Sequence, residues 1–219
     1  TMGGPNEDVE YLIIKRLFDF VLSLIAIIAL SWLMIIIALI IRLSDGGPAI
    51  YKQVRLTKNG KKFNIYKFRS MKVDAEKDGV ARLATEDDDR ITPIGKFIRK
   101  CRLDELPQLF NILKGDMTIV GPRPERPEIA KQYEESIPAF KLRLQVKAGL
   151  TGYSQVYGRY SMDPYDKLEM DLMYINKRDF FTDLAIIFAT VVILFSSESA
   201  AGVDASEITA IENGDEDFA

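Results

Sequence analysis

The sequence predicts an α+β protein, mostly helical, with a small sheet and one membrane-inserted helix near its N-terminus. Three observations lead to this class: an uninterrupted apolar run, two alternating segments around a turn, and amphipathic stretches with helical spacing. The chain has 219 residues, of which 47% are apolar. It is therefore long enough to bury a core beside the membrane-inserted segment.

The apolar run covers residues 20–41, FVLSLIAIIALSWLMIIIALII, and contains no charged side chain. Its 22 residues are enough to cross the hydrocarbon core of a bilayer. Lys15 and Arg16 precede the run, and residues 42–72 after it carry nine basic side chains against one acid. Because positive charge favours the cytoplasmic side, we predict a re-entrant helix that turns near Ser31. The alternative, a single span, would leave the N-terminal cations outside.

A pair of strands follows the apolar run. The segments AIYKQVRL (49–56) and KFNIYKFRSM (62–71) alternate on either side of Asn59-Gly60. Two alternating segments around an Asn-Gly turn are typical of an antiparallel hairpin.

Helices are predicted in the second half of the chain. Thr92 is a suitable N-cap for an amphipathic helix that starts at Pro93. Residues 126–146 have helical character interrupted near Pro138, and the apolar residues 184–195 suit an interfacial or core helix, too short to span. The predicted organisation is a tag remnant and basic flank at 1–19, the membrane helix at 20–41, a main domain at 42–195, and an acidic, disordered tail at 196–219.

The composition excludes several kinds of chemistry. The sequence has no histidine and a single cysteine, Cys101. A histidine base, a Ser-His-Asp triad, a disulfide within the chain and a cysteine-cluster zinc site are therefore ruled out. Carboxylates, Lys, Arg, Tyr and hydroxyl groups remain, together with an oxygen-liganded metal such as Mg²⁺ or Mn²⁺.

Two adjacent carboxylates, Asp104 and Glu105, lie in the segment RKCRLDELPQLFNILKGD (99–116). Pro107 fits only in the first turn of a helix, which places both carboxylates at a helix N-terminus. Free N–H groups there, and the nearby arginines, favour ionised carboxylates and lower their pKa values. Such an Asp can ligate Mg²⁺ or attack phosphorus; a solvated acidic first turn explains the same residues.

Several cations are candidates for binding phosphate. Arg123 lies on a stiff loop between two prolines in GPRP, and Lys67 and Arg69 share one face of a strand in YKFRSM. Arg159 ends the segment AGLTGYSQVYGR. A rigid turn, the wet side of a sheet edge and a plain connection are the structural alternatives. The sequence contains neither GxxxxGK[ST] nor GxGxxG, so it gives no support for a P-loop or Rossmann nucleotide site.

A series of motifs, in this order, resembles the bacterial sugar transferases, the monotopic polyprenyl-phosphate phosphoglycosyl transferases. The motifs are KRLFD (15–19) before an apolar segment, YKFRSM (66–71), RLDELPQLFNILKGDM (102–117), IVGPRP (119–124), GLTG (149–152) and QVYGR (155–159). The resemblance covers roughly residues 11–195. The long LDELPQLFNILKGDM block with VGPRP is the most specific part, and it favours the catalytic interpretation over the structural alternatives.

The resemblance implies an enzyme that moves a sugar-1-phosphate from a UDP-sugar to polyprenyl (undecaprenyl) phosphate and releases UMP through a phospho-aspartate. By this resemblance Asp104 is the nucleophile and Glu105 its partner, and both contact Mg²⁺ or Mn²⁺. The cations implied to hold phosphates are Lys67, Arg69, Arg99, Arg123 and Arg159.

The resemblance also implies a setting for this reaction. It is the first membrane step of surface glycan synthesis, at the bacterial inner membrane with the catalytic domain (42–195) on the cytoplasmic side. The expected partners are the UDP-sugar, polyprenyl phosphate, the lipid bilayer, downstream glycosyltransferases and a second copy in a homodimer, with no nucleic acid.

The sequence departs from the family pattern at three places. Ser31-Trp32 stands where the family has Ser-Pro in its membrane helix, Lys147-Ala148-Gly149 replaces RPG, and Tyr157 replaces Asn in QVNGR. None of these changes removes a charged group from the proposed chemistry. Two other functions stay open: a membrane-anchored glycosyltransferase that releases UDP, and a non-enzymatic module that binds the membrane surface.

Overall fold

The computed structural model describes residues 9–73, 75, 88–158 and 162–195. Within them the predicted α+β class is confirmed, with seven α-helices and two two-stranded sheets. Arg159 and the acidic tail at 196–219, for which we made predictions, lie outside the described residues. The elements are α1 (Val9–Asp45), β1 (Ile50–Leu56), β2 (Lys62–Phe68), α2 (Pro93–Lys100), α3 (Gln108–Lys114), β3 (Thr118–Val120), α4 (Pro127–Ser136), β4 (Gly149–Thr151), α5 (Tyr153–Tyr157), α6 (Pro164–Lys177) and α7 (Phe180–Phe195).

The apolar run lies inside α1, a single helix of 37 residues. The predicted turn near Ser31 is therefore wrong. The Ser31 hydroxyl donates to the carbonyl of Ile28 at 2.9 Å, a bond that a continuing helix accommodates. Because α1 contains no proline, every residue after its first turn can donate its N–H to the helical ladder. Among the described helices, α1 is the one long and apolar enough to cross a membrane.

The N-terminal half of α1 is fastened to the rest of the protein by polar contacts. Arg16 donates to two carbonyls at the end of α3, at 2.7 and 2.8 Å. Asp19 is buried and accepts from the Thr118 hydroxyl at 2.6 Å and from the Ile119 N–H at 3.1 Å. Lys15 pairs with the buried Asp183 of α7 at 2.6 Å. These contacts fix α1 against α3, β3 and α7.

The C-terminal half of α1 packs against the same body. Met34, Ile37 and Ile41 form a core with Phe68 of β2 and Ile98 of α2. Contacts with the body thus extend from the first turns of α1 to its last ones, over about 45 Å of helix. The partly buried apolar residues packed against this core are Leu33, Ala38, Ala49, Ile94, Leu103 and Leu106.

The predicted hairpin is confirmed. β1 and β2 pair in antiparallel register from Ile50 opposite Phe68 to Leu56 opposite Lys62. Asn59 has φ +59° within the connecting turn, a left-handed conformation that Asn adopts more readily than most residues.

The second sheet brings two of the motifs together. β3 pairs with β4 in parallel, and Gly121 after β3 donates its N–H to the Thr151 carbonyl at 2.9 Å. A Cβ on Gly149 would lie 2.2 Å from the Gly121 nitrogen, so the backbones meet at a distance that excludes a side chain. The glycines of VGPRP and GLTG therefore serve close backbone approach.

The helix predictions are confirmed in outline. Thr92 caps α2 by accepting from the Gly95 N–H at 3.0 Å, and Pro93 is its first residue. Residues 126–146 form α4 and a separate 3₁₀ segment that begins at Pro138, as the predicted interruption requires.

Candidate active site

The two adjacent carboxylates lie in a 3₁₀ turn, Leu103–Glu105, and α3 begins only at Gln108. The helix therefore starts one turn later than predicted. Pro107 has no N–H to donate to the Leu103 carbonyl in α-helical register, and this carbonyl instead accepts from the Leu106 N–H at 3.3 Å. The chain is oriented into this turn by Arg102, whose φ of +52° is uncommon for a residue with a side chain.

Glu105 is held by two cations from different parts of the chain. Its Oε1 accepts from Lys67 Nζ of β2 at 2.9 Å and from Arg123 Nη2 of the GPRP loop at 2.8 Å. Burial would raise the pKa of Glu105, but Arg123 and Lys67 outweigh that effect and hold its pKa well below the ordinary value. Glu105 in turn raises the pKa of Arg123. Both partners are therefore charged at neutral pH.

Asp104, directly beside Glu105, is in a different state. Its carboxylate accepts no hydrogen bond from any residue in the described part of the chain. Burial, with a contribution from Glu105, raises the pKa of Asp104 above its ordinary value, although Lys67, Arg99 and Arg123 act in the opposite direction. The predicted lowering of the pKa is therefore confirmed for Glu105 and wrong for Asp104. Within the described part of the chain, Asp104 is thus a carboxylate without a hydrogen-bonding partner, under the influence of three cations.

The predicted phosphate ligands divide into groups. Lys67 and Arg123 meet at Glu105, and Arg99 is half-buried near Asp104 and donates no side-chain hydrogen bond to the described residues. Arg69 lies elsewhere in the structure. Its guanidinium forms two bonds of 2.5 Å with Asp45 at the end of α1 and a third of 2.7 Å with the carbonyl of Pro48.

The geometry of Arg69 differs from the prediction that it binds phosphate beside Lys67. Arg69 follows the last residue of β2 and reaches back to the turn after α1, where its donors are used by the protein itself. It is only 7% exposed. We assign it a structural role, which is to fasten the end of α1 to the hairpin.

Asn111 of α3 is an important residue of the site that the sequence analysis did not identify. Its side chain is fully buried; it accepts from the Tyr66 N–H at 2.9 Å and donates to the Asn64 carbonyl at 2.8 Å. This bond pair attaches α3 to the free edge of β2, next to Lys67. The one indication in the sequence was that Asn111 belongs to the motif LPQLFNILKGD. Its hydrogen-bonding partners could not be predicted, because they lie more than 40 residues earlier in the chain.

The charges at the site suit an anionic ligand. Lys67, Arg99 and Arg123 outnumber the two carboxylates, so the cluster has an excess positive charge. A carboxylate that is unpaired and partly desolvated can act as a nucleophile, and adjacent guanidinium groups suit phosphate oxygens. The arrangement can therefore bind a phosphorylated substrate and attack it.

A divalent metal fits this donor set only together with a substrate. No group of three or more Asp, Glu, Cys or His side chains suited to a metal ion occurs among the described residues. Mg²⁺ is commonly held by one or two carboxylates plus substrate phosphates. Asp104 is free for this role, whereas the Oε1 atom of Glu105 is occupied by Lys67 and Arg123.

The described residues thus combine a cluster of two carboxylates and three cations with one helix long and apolar enough to cross a membrane. A family model described as bacterial sugar transferase matches residues 10–197. The chain belongs to this family.

Curated relatives act on different sugars. The chain is 42% identical to a UDP-N-acetylgalactosamine-undecaprenyl-phosphate N-acetylgalactosaminephosphotransferase of Aeromonas hydrophila; the matched region covers 83% of the chain and 43% of that relative. It is 41% identical to a UDP-glucose:undecaprenyl-phosphate glucose-1-phosphate transferase of Escherichia coli, over 86% of the chain and 41% of that relative. It is 39% identical to an undecaprenyl-phosphate galactose phosphotransferase of Salmonella typhimurium, over 85% of the chain and 41% of that relative. The chain spans about two fifths of the length of these relatives.

The charges around Asp104 predict how the pH dependence of the enzyme responds to substitution. Arg123 lowers the pKa of Asp104, so Arg123→Gln should raise that pKa further. Because a nucleophile must be ionised, kcat/KM should then begin to fall at a higher pH as the solution is acidified. Glu105 raises the pKa of Asp104, so Glu105→Gln should move the acid limb of the kcat/KM profile in the other direction.

Arg42→Gln serves as the matched control, because Arg42 is exposed at the end of α1 and does not act on Asp104. Its acid limb should coincide with that of the unmodified protein. Shifts of the same sign in Arg123→Gln and Glu105→Gln would contradict the assignment of the acid limb to Asp104.

Proposed function

We propose that this protein transfers a sugar-1-phosphate from a UDP-sugar to a polyprenyl phosphate such as undecaprenyl phosphate, and that it releases UMP. The observation that supports this most directly is the unpaired carboxylate of Asp104 beside the ion-paired Glu105. The three relatives are each named as transferases of a sugar phosphate to undecaprenyl phosphate, and these names supply the substrate class.

The proposed reaction has two steps at one carboxylate. An oxygen of Asp104 attacks the phosphorus that carries the sugar, and the bond from this phosphorus to the oxygen of UMP breaks. UMP leaves with the bonding electrons, and the sugar phosphate stays on Asp104 as an acyl phosphate. An oxygen of the polyprenyl phosphate then attacks the same phosphorus, the bond to Asp104 breaks, and the carboxylate is regenerated.

The surrounding residues supply positioning and charge. Phosphoryl transfer depends on these two factors more than on proton transfer, so a site without histidine is sufficient. Arg99, whose side chain donates no hydrogen bond to the described residues, is the cation most available to the incoming diphosphate. Glu105 keeps Lys67 and Arg123 in place on either side, as its bonds of 2.9 and 2.8 Å indicate.

A Mg²⁺ or Mn²⁺ ion is part of the proposal. Asp104, with Glu105 next to it, would hold the ion jointly with the diphosphate of the substrate. When bound, the ion neutralises charge on the phosphate oxygens.

We propose that the protein lies on the cytoplasmic face of the inner membrane. Contacts with the body extend along about 45 Å of α1, which exceeds the hydrocarbon thickness of about 30 Å. If α1 crossed the bilayer, the rest of the protein, which contacts α1 along that whole length, would have to cross with it. Between Ile13 and Ile40 every exposed side chain of α1 is apolar except Ser31, and Leu17, Ile28 and Trp32 are each more than half exposed. We propose that this side is embedded in the inner leaflet.

This arrangement gives the lipid acceptor a short route to the nucleophile. Leu103 and Leu106, which flank the carboxylate pair in the chain, pack against the core formed by Met34, Ile37 and Ile41 of α1. The reactive turn therefore lies beside the proposed membrane helix. A homodimer and contacts with downstream glycosyltransferases stay predictions.

Asp104→Asn should abolish turnover without unfolding the protein. Asn cannot form the acyl phosphate, and Asp104 makes no side-chain hydrogen bond to the described residues that folding would lose. The measurement is UMP release from a panel of UDP-sugars with undecaprenyl phosphate, together with thermal unfolding in detergent. Asp116→Asn, the same change after the other end of α3, is the control and should stay active.

The nucleotide product separates the proposal from its rivals. A glycosyltransferase that joins the sugar directly would release UDP, and a binding module would release neither nucleotide. Activity of Asp104→Asn above a few per cent of normal would show that Asp104 is not the nucleophile.

Removal of divalent metal should abolish UMP release. Without the ion, the cations of the site must neutralise the reacting diphosphate unaided. The assay is repeated after exhaustive EDTA treatment, and then with Mg²⁺, Mn²⁺ or Zn²⁺ added back. We expect recovery with the first two ions; full activity in EDTA would refute the metal requirement.

The N-terminus should lie in the cytoplasm. A cysteine at Asn6, in a Cys101→Ser background, is tested in intact cells with a membrane-impermeant thiol reagent. We expect labelling only after the cells are permeabilised, because Lys15 and Arg16 are bound to the body of the protein. Labelling of intact cells would mean that α1 spans the membrane.

A further inference from the structure

The loop that carries Arg123 is held in place from outside. Residues 121–126 lie between β3 and α4 without regular structure, and the two prolines beside Arg123 have no N–H to donate. Arg143 Nη2 donates to the carbonyl of Arg123 at 3.1 Å, and Arg55 Nη1 donates to the carbonyl of Pro124 at 3.0 Å. Backbone bonds hold the loop on either side, from the Gly149 N–H to the Pro122 carbonyl at 2.9 Å and from the Leu56 N–H to the Glu125 carbonyl at 3.0 Å. Between them, the carbonyls of Arg123 and Pro124 accept from arginines of other elements.

Arg143 is itself oriented by a buried carboxylate. Its Nε and Nη2 atoms donate to Asp171 Oδ2 of α6 at 2.9 and 2.6 Å, and its Nη1 lies 3.4 Å from Glu125 Oε1. Arg143 is 3% exposed and Asp171 is 1% exposed. Neither side chain can touch a substrate, so any effect on the reaction must pass through Arg123 and its loop.

Asp171 has a second partner on another loop. Its Oδ1 accepts from Ser154 Oγ at 2.8 Å, and Ser154 is buried in α5, directly after the GLTG motif. One carboxylate therefore binds the GPRP loop through Oδ2 and Arg143, and the GLTG segment through Oδ1. These two segments are the ones that the parallel pairing of β3 and β4 brings together.

Stability alone is a weak explanation for this arrangement. Removing two charges from water opposes their attraction, and apolar residues of similar volume often replace a buried ion pair without loss of stability. Hydrogen bonds in fixed directions, by contrast, define one orientation of the groups that they join. The contacts of Asp171 thus fix the geometry of the Arg123 loop.

We propose that Asp171 is a positioning residue for the transfer reaction, which holds Arg123 in its reactive place through Arg143 and aligns α5 through Ser154. This inference rests on the proposed function, in which Arg123 binds a substrate phosphate beside Asp104.

A double-mutant cycle tests this role. The kcat/KM for UMP release is measured for Asp171→Asn in the unmodified protein and in an Arg123→Lys background. Misplacing a group that contacts the transition state costs about tenfold or more. We expect such a loss in the unmodified protein and a loss of less than about twofold in the Arg123→Lys background, because residues that act through one another are not additive.

Equal losses in the two backgrounds would overturn the positioning role, because a general structural effect multiplies with the effect of Arg123. If Asp171→Asn does not fold, Arg143→Lys replaces it in the same cycle. Lysine keeps the buried charge next to Asp171 but lacks the planar fork that reaches both Asp171 and the Arg123 carbonyl. We expect its loss of kcat/KM also to disappear in the Arg123→Lys background.

Asp45→Asn is the matched control. It disrupts another close Arg–Asp pair, with Arg69, which makes no contact with residues 121–126 among the described residues. Its effect should be the same in both backgrounds. Absence of UMP release from the unmodified protein with every UDP-sugar would instead refute the proposed function itself, so the two failures are distinguishable.

Discussion

The ion pair between Glu105 and its two cations, Lys67 and Arg123, is the interaction on which the site depends. It joins β2, the 3₁₀ turn and the GPRP loop through one carboxylate oxygen. Because both cations donate to the same oxygen, removing Glu105 would break the contact of the turn with both other segments. Lys67 and Arg123 donate hydrogen bonds to Glu105 and none to Asp104. Their positive charges nevertheless lower the pKa of Asp104 through space. The pair therefore separates a fixed carboxylate from a reactive one.

The long apolar helix has two roles that depend on each other. Its inward side contributes Met34, Ile37 and Ile41 to the core shared with Phe68 and Ile98, and its polar residues Arg16 and Asp19 bind the backbone of α3 and β3. Its outward side is apolar and exposed. The helix cannot leave the body without exposing buried polar partners, each of which costs about 1–3 kcal/mol when left unsatisfied. The surface that we propose for the membrane is thereby held at a fixed position relative to Asp104.

The sequence analysis failed where a long-range contact decided the outcome. Alternation predicted that Lys67 and Arg69 share one face of a strand, but β2 ends at Phe68 and Arg69 lies beyond it. The guanidinium of Arg69 instead forms an ion pair with Asp45, which lies 24 residues earlier in the chain. The turn near Ser31 was inferred from flanking charge, yet Lys15 and Arg16 find their partners in the protein itself, so the helix need not reverse to keep them inside.

Turn chemistry, capping residues and composition determined much of this protein from the sequence. Asn59-Gly60 specified the hairpin, Thr92-Pro93 the start of α2, and the absence of histidine restricted the chemistry to carboxylates and cations. The motifs indicated the family. Only the tertiary structure decided which of two adjacent carboxylates is free, because the partners of Glu105 lie 38 and 18 residues away. Electrostatic pairing depends on distances in space, and for such separations local sequence patterns contain no information about them.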